Sequence, residues 1–214
     1  VFGSVTPPTV SSAQTICYDT APASLNRNSA SGSNGSFTYE WEYSTNAGIS
    51  WNGTGLSGTS YSPGILNATR LFRVKTHNAR CATTVYSNPI QVTVYAPLLA
   101  GTLSPSAPLI CFNASQALSI AGTSGGDATY SYTWEHKPTG SSTWTTAPSS
   151  SSSSSYSTPA LTTTTAYRVR VNSGCNLEDT SNVAIVDVAQ PFQINPITLS
   201  SSSDSICYGE KNPQ

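Results

Sequence analysis

The residues of this chain whose type and spacing can do chemistry are its five cysteines: Cys17, Cys81, Cys111, Cys175 and Cys207. Cys17 and Cys81 lie 64 residues apart, and so do Cys111 and Cys175. Equal spacing in two places predicts one disulfide within each half, Cys17–Cys81 and Cys111–Cys175. A loop of that size stabilises a fold by about 4 kcal/mol in the chain-entropy account, and such bridges belong to oxidising, extracellular compartments. Zinc is the competing chemistry. The spacings contain no C-x₂-C pair and His77 and His136 stand alone, so the thiols read as disulfide partners and no metal is expected. Cys207 is left over.

Other chemistry finds no footing. No G-x-S-x-G and no Ser/His/Asp arrangement occurs, and the serine run Ser149–Ser155 reads as a flexible low-complexity loop. Glu40, Glu42, Glu135, Glu178 and Asp179 do not recur as a pair with a companion and read as a solvated face. Acidic residues are too sparse for a calcium cage. The expectation is a protein that is not an enzyme, with no catalytic residue, metal or cofactor.

The cysteines are landmarks of a repeat. "TICYDT" (15–20), "LICFNA" (109–114) and "SICYGE" (205–210) are three copies of one segment, their cysteines 94 and 96 residues apart. "TYEWEYS" (38–44) matches "SYTWEHK" (131–137), and Trp51 matches Trp144. "SYSPGILNATRLFRVK" (60–75) matches "SYSTPALTTTTAYRVR" (155–170), and "SNPIQVTVY" (87–95) matches "SNVAIVDVA" (181–189). The expected organisation is a first unit over 1–96, a second over 97–190, and the start of a truncated third over 191–214. On that reading Cys207 is the third copy of the position held by Cys17 and Cys111, unpaired because its partner would lie beyond the fragment.

The elements that carry these landmarks are strands. Phe37, Tyr39, Trp41 and Tyr43 alternate with Thr38, Glu40 and Glu42, a period of two. Phe72 and Val74 alternate with Arg73 and Lys75, and Tyr167, Val169 and Val171 with Arg168 and Arg170. If the tryptophan and arginine strands neighbour each other, Glu40 and Glu42 face Arg73 and Lys75 as exposed cross-strand pairs, worth roughly 0.2–1 kcal/mol each. Ile90, Val92 and Val94 point inward in the last strand, as do Ala184, Val186 and Val188. About seven short strands per unit, with Gly-, Ser-, Asn- and Pro-rich turns, predict tandem immunoglobulin-like or fibronectin-like β-sandwiches. Placing Cys17 at the beginning of the first strand and Cys81 beyond the arginine strand puts both at one pole. Trp41 and Trp134 are core. Trp51 and Trp144 each follow a turn and read either as packed structural aromatics or as exposed platforms for sugar stacking.

Composition bounds the class of protein, and export is inferred from the cysteines rather than from it. Charged residues are 9% of the 214 and the net charge is −1, which excludes a basic nucleic-acid surface. No apolar run approaches the roughly 20 residues of a membrane span. There is no Met, even at position 1, which reads as a piece of a longer precursor. No signal peptide is visible. The sequons at Asn34, Asn52, Asn67 and Asn113 are what a chain this rich in Ser, Thr and Asn contains by chance.

The pattern C-Y…TYEWEYSTNAGISW…SYSPGILNATRLFRV…C…SNPIQVTVY resembles the immunoglobulin-like repeats of giant Bacteroidota cell-surface adhesins, the gliding-motility adhesins among them. The resemblance covers essentially the whole chain. It implies type IX secretion, extension from the outer membrane at the cell surface, and attachment to surfaces or polysaccharide. Partners would be neighbouring repeats, surface polysaccharide and the secretion or gliding machinery, with no nucleic acid and no membrane insertion. Asp19-Thr20-Ala21 and Asp204-Ser205-Ile206 are similar to the O-glycosylation motif of that phylum, which would make Thr20 and Ser205 acceptors; the second unit departs from it with Asn113. The expected function is a non-enzymatic stalk segment, with a carbohydrate-binding or accessory module of a secreted enzyme as the alternative.

Overall fold

A computed structural model describes residues 3–32 and 36–191. Apart from Pro191, the expected third unit, with Ser205 and Cys207, lies outside the described residues, as does Asn34.

Among the described residues every regular element is a strand. The first repeat contributes β1 (Gln14–Ile16), β2 (Leu25–Asn26), β3 (Phe37–Ser44), β4 (Asn52–Gly53), β5 (Ser60–Tyr61), β6 (Arg70–Asn78), β7 (Thr83–Tyr86) and β8 (Ile90–Val94). The second contributes β9 (Thr102–Ser104), β10 (Leu109–Cys111), β11 (Ala117–Ala121), β12 (Tyr130–Pro138), β13 (Thr145–Thr146), β14 (Ser155–Ser157), β15 (Thr165–Ser173), β16 (Glu178–Thr180) and β17 (Ala184–Ala189). No helix among these residues is long and apolar enough to cross a membrane.

Each repeat builds the same large sheet. Its order is β1-β8-β6-β3-β4 in the first repeat, with β7 beside β6, and β10-β17-β15-β12-β13 in the second, with β16 beside β15. The registers coincide as well: Trp41 pairs with Val74 and Trp134 with Val169, while Ile16 pairs with Val94 and Ile110 with Val188. The facing layer is β2-β5 in the first repeat and β14-β11-β9 in the second. Two all-β immunoglobulin-like sandwiches result.

The period-two pattern produces the core. Trp41, Phe72, Val74 and Val92 are buried with Leu25 and Leu66; Trp134, Tyr167, Val169 and Val186 are buried with Leu118 and Leu161. Each central tryptophan is fully buried and stacks on a tyrosine of the other layer, Tyr61 at 5.6 Å and Tyr156 at 5.2 Å. Their indole N–H groups donate to Gly58 O and Ser153 O, so burying them leaves no orphan donor. The serine run expected to be a flexible loop is therefore tied to the core. Ser153 O accepts the Trp134 indole N–H, and Ser150 Oγ accepts the Trp134 backbone N–H.

The last strand is broken in the same place twice. Between β7 and β8 the backbone leaves the ladder at Ser87, whose Oγ accepts the Val74 N–H at 2.9 Å while its own N–H donates to Val74 O. Ser181 repeats both bonds with Val169. The buried hydroxyl stands in for the missing carbonyl, which is why a serine recurs at 87 and 181.

The junction between repeats differs from expectation. "YAPLLAGTLSPSAP" reads as a short Pro-containing link, but Leu98, Ala100 and Leu103 are buried in the second repeat's core. Tyr95 N–H still donates to Ile16 O of the first repeat, and the next carbonyl, Ala96 O, already accepts from Gly126 of the second. No free linker separates them. The first segment of each repeat runs close against a glycine in the left-handed region, Gly32 (φ 86°) and Gly125 (φ 80°); a Cβ there would strike Ser4 O and Pro97 O.

Candidate functional site

Strand direction decides where the thiols go. β1 runs parallel to β8 while β6 runs antiparallel to it, and Gln14 and Arg70 both pair with Val92. Cys17 therefore lies beyond the beginning of β6, at the end of the repeat where the chain leaves it. Cys81 lies beyond Asn78 at the opposite end. The nine residues of β6 put about 30 Å between those levels, against a Cα separation of no more than about 7 Å for a disulfide. The nine-residue β15 separates Cys111 from Cys175 in the same way.

The intrarepeat pairings Cys17–Cys81 and Cys111–Cys175 are thus replaced. Cys17 is bonded to Cys175, with Cα atoms 5.5 Å apart and a sequence separation of 158. The difference arises because Cys17 is not at the beginning of the first strand. Thr6 and Val10 precede it, bridging to Ser31 and Arg27, and Cys17 follows the last residue of β1. The bond crosses from the exit pole of the first repeat to the β15–β16 turn of the second. Ala96 O–Gly126 and the Tyr130–Ser173 pair place that turn at the pole of the second repeat where the chain comes in.

Both sulfur-bearing segments are held by local bonds. On the first repeat Thr20 Oγ1 donates to Cys17 O at 2.7 Å, Asp19 N–H donates to Leu66 O, and Asp19 adopts φ 58°. Asn113 does the same in the second repeat, with φ 62° and a bond to Leu161 O. Asp and Asn are the non-glycine residues that tolerate this conformation best, so the turn accounts for Asp19 without a modification motif; Thr20 is exposed. On the second repeat, Asp127 Oδ1 accepts from Thr129 Oγ1 (2.6 Å), Thr129 N–H and Gly174 N–H, tying the residue before Cys175 to the base of β12. The Thr129 hydroxyl first, then the backbone donors, hold the Asp127 carboxyl below the usual carboxylate range. Composition and motif reading missed Asp127, whose only sequence signal is an Asp-x-Thr turn ahead of an alternating strand.

The second feature lies on the outer face of each large sheet. The pairing of Glu40 with Lys75 and Glu42 with Arg73 is as the alternation predicts, but only the Glu40–Lys75 pair, at 3.6 Å, is exposed. Glu42 is buried, its carboxylate 2.7 Å from Arg73 Nε; Glu135 and Arg168 repeat this at 2.7 Å. The lids are the two tryptophans that read either as packed aromatics or as sugar platforms. Arg73 sits 4.1 Å from the Trp51 ring centre and 4.0 Å from that of Tyr86, and Arg168 4.5 Å from that of Trp144. Trp51 and Trp144 are half-buried and each lies against a guanidinium, a stacking that favours the charged group. An open polar groove of about 490 Å³, lined by Tyr39, Glu40, Lys75, His77 and Thr84 among others, adjoins this face in the first repeat. Among the described residues no cluster of His, Cys, Asp and Glu is arranged to hold a metal.

A family model described as "Domain of unknown function (DUF8696)" matches residues 6–96 and again 99–190. No curated protein sequence matches the chain. Among solved structures, three immunoglobulin domains of titin are similar at 12% identity with a TM-score of 0.49, covering 89% of this chain and 68% of that one. Three N-terminal domains of the outer capsid protein Hoc of bacteriophage RB49 are similar at 9% identity with a TM-score of 0.48, covering 88% and 71%. The four N-terminal immunoglobulin domains of Dscam1 are similar at 13% identity with a TM-score of 0.41; the chain spans less than half the length of that fragment, 47%, with 87% of its own residues.

Proposed function

The chain belongs to the DUF8696 domain family as two tandem copies of its domain, and from that premise we propose that it is a non-enzymatic, extracellular, load-bearing segment of a longer surface protein. The observation that supports this reading is the Cys17–Cys175 bond between consecutive repeats. A bond within each repeat would secure each fold. A bond between repeats fixes the joint, and here it acts beside a junction with no free linker. Tension applied to the two ends follows residues 1–17, crosses the sulfur bridge and continues from 175. Most of both cores lies on the bypassed path, while Ile16 in the first repeat and Ala184, Val186 and Val188 in the second lie outside it, so tension can lengthen the segment only by its end strands. This is the property a stalk needs to hold a distal surface- or polysaccharide-binding region away from a cell. The resemblance to Bacteroidota adhesin repeats points to that setting, with type IX secretion and outer-membrane attachment as its finer form.

Single-molecule pulling from the two termini tests it. The oxidised chain is expected to reach its rupture force with no unfolding steps from residues 18–174. Reductant, or Cys175→Ser, is expected to release the bypassed segment, roughly 500 Å of extended chain. Unfolding steps of single-repeat length in the oxidised chain would overturn the reading.

A further inference from the structure

Cys111 occupies on the second repeat the place that Cys17 occupies on the first. Both follow an isoleucine in the same register, Ile16 with Val94 and Ile110 with Val188. Both precede an Asp or Asn at φ about 60° whose N–H donates to the equivalent leucine carbonyl. Their surroundings differ. Cys17 is half-buried in its bond to the following repeat, whereas Cys111 is an exposed thiol. Beside it, Phe112 is 43% exposed, while its counterpart Tyr18 is half-buried. A shallow depression of about 400 Å³ opens there, lined by Cys111, Phe112, Ala189, Gln190 and Pro191. The last three correspond in sequence to Tyr95, Ala96 and Pro97, the residues at which the first repeat hands over to the second.

From this we infer that the pole around Cys111 is a docking site for a further repeat of the same kind, whose β15–β16-type turn presents a cysteine equivalent to Cys175. The occupant is chosen by the chain itself, because the same pole of the first repeat is already filled by such a turn and sealed by such a bond. This extends the load-bearing reading and rests on it. The bond forms when the Cys111 thiol and the incoming thiol give up two protons and two electrons to a small-molecule disulfide, which is reduced to two thiols. Each staple then spans past the next. The segment 111–175 would lie inside both loops, so an array is cross-linked without an unstapled joint.

The test duplicates the second repeat within the full chain, residues 1–190 followed directly by 97–214, so that Gln190-Pro97 replaces the natural Ala96-Pro97 junction. After refolding in oxidised and reduced glutathione, peptide mapping without reductant is expected to find Cys17 linked to the first Cys175 and the first Cys111 linked to the second Cys175. A Cys111–Cys175 link within one copy, or a first Cys111 that remains alkylatable, would overturn the proposal. Native alkylation of residues 1–214 alone is the second measurement, independent of how the duplicated chain folds. Cys111 is expected to react at once, and Cys17 and Cys175 only after reduction; a protected Cys111 would also overturn it. Absence of the Cys17–Cys175 link from residues 1–214 would instead defeat the load-bearing reading.

Discussion

The residues that differ between two otherwise matching repeats show which side chains are optional. Tyr167 is fully buried, and among the described residues its hydroxyl has no hydrogen-bond partner; burial pushes the phenol well above its usual range. Its counterpart in the first repeat is Phe72. Removing an unsatisfied buried hydroxyl removes a desolvation penalty, so Tyr167→Phe is expected to leave stability unchanged or raise it by about 1 kcal/mol, read from urea denaturation. Ser87 and Ser181 are the opposite case. Each fills a gap in a buried ladder with its side chain, and Ser181→Ala strands the Val169 N–H. That substitution is expected to cost about 1–3 kcal/mol, and a loss under 0.5 kcal/mol in the same denaturation assay would show that the backbone finds another partner.

At the scale of elements, the long strands are legible in the sequence and the short ones are not. Alternation in "FTYEWEYS" and "RLFRVKTHN" specifies register because a one-residue slip would bury Glu40 and Arg73 and expose Trp41 and Val74. The first edge segment has no such pattern: "SVTPPTVSSAQTI" carries only bridges and the three residues of β1. Its length is therefore hidden from a periodicity reading, and with it the position of Cys17. Cysteine spacing measures distance along the chain, so a repeat of 64 residues is compatible with bonding inside a unit or across units. Only strand direction separates those. The buried Glu42–Arg73 pair is half legible for a similar reason: alternation places both side chains on the outer face, but the tryptophan covering them comes from a separate turn.

The β15–β16 turn is the element whose geometry the staple needs, and Asp127 is its anchor. Three donors, Thr129 Oγ1, Thr129 N–H and Gly174 N–H, favour the ionised carboxylate, so its folded pKa lies below its unfolded value. The sign follows from linkage: the contribution is fully present above the unfolded pKa and is lost as pH falls through the lower, folded one. The Asp127 carboxyl resonance is expected to titrate with a midpoint below the roughly 3.9 of a free aspartate. Asp127→Asn should remove that titration and loosen the turn, read as faster exchange of the Gly174 amide and quicker reduction of the disulfide. An unchanged reduction rate would mean that the turn holds its shape without this carboxylate.

For the whole molecule, one bond between two folded units changes what stability means. If the first repeat unfolds while the second stays folded, the disulfide closes a loop of roughly 80 residues, and the chain-entropy estimate is about 4.5 kcal/mol. The same holds if the second repeat unfolds first. If both unfold, a single loop is closed across the 158-residue separation, worth about 5 kcal/mol by the same estimate. The staple thus protects whichever repeat is weaker and adds little once that repeat has gone, which draws two independent transitions together. Calorimetry of the oxidised chain is expected to show one composite transition. Reduction, Cys17→Ser and Cys175→Ser should each give the same result, a lower first transition well separated from the second. Labelling each repeat with an aromatic probe makes the outcome specific: a substitution at Cys17, in one repeat, must change the melting of the other when that other is the weaker unit. If Cys17→Ser altered only the repeat that contains it, and Cys175→Ser only its own, the bonds would lie within the repeats and the joint would be unstapled.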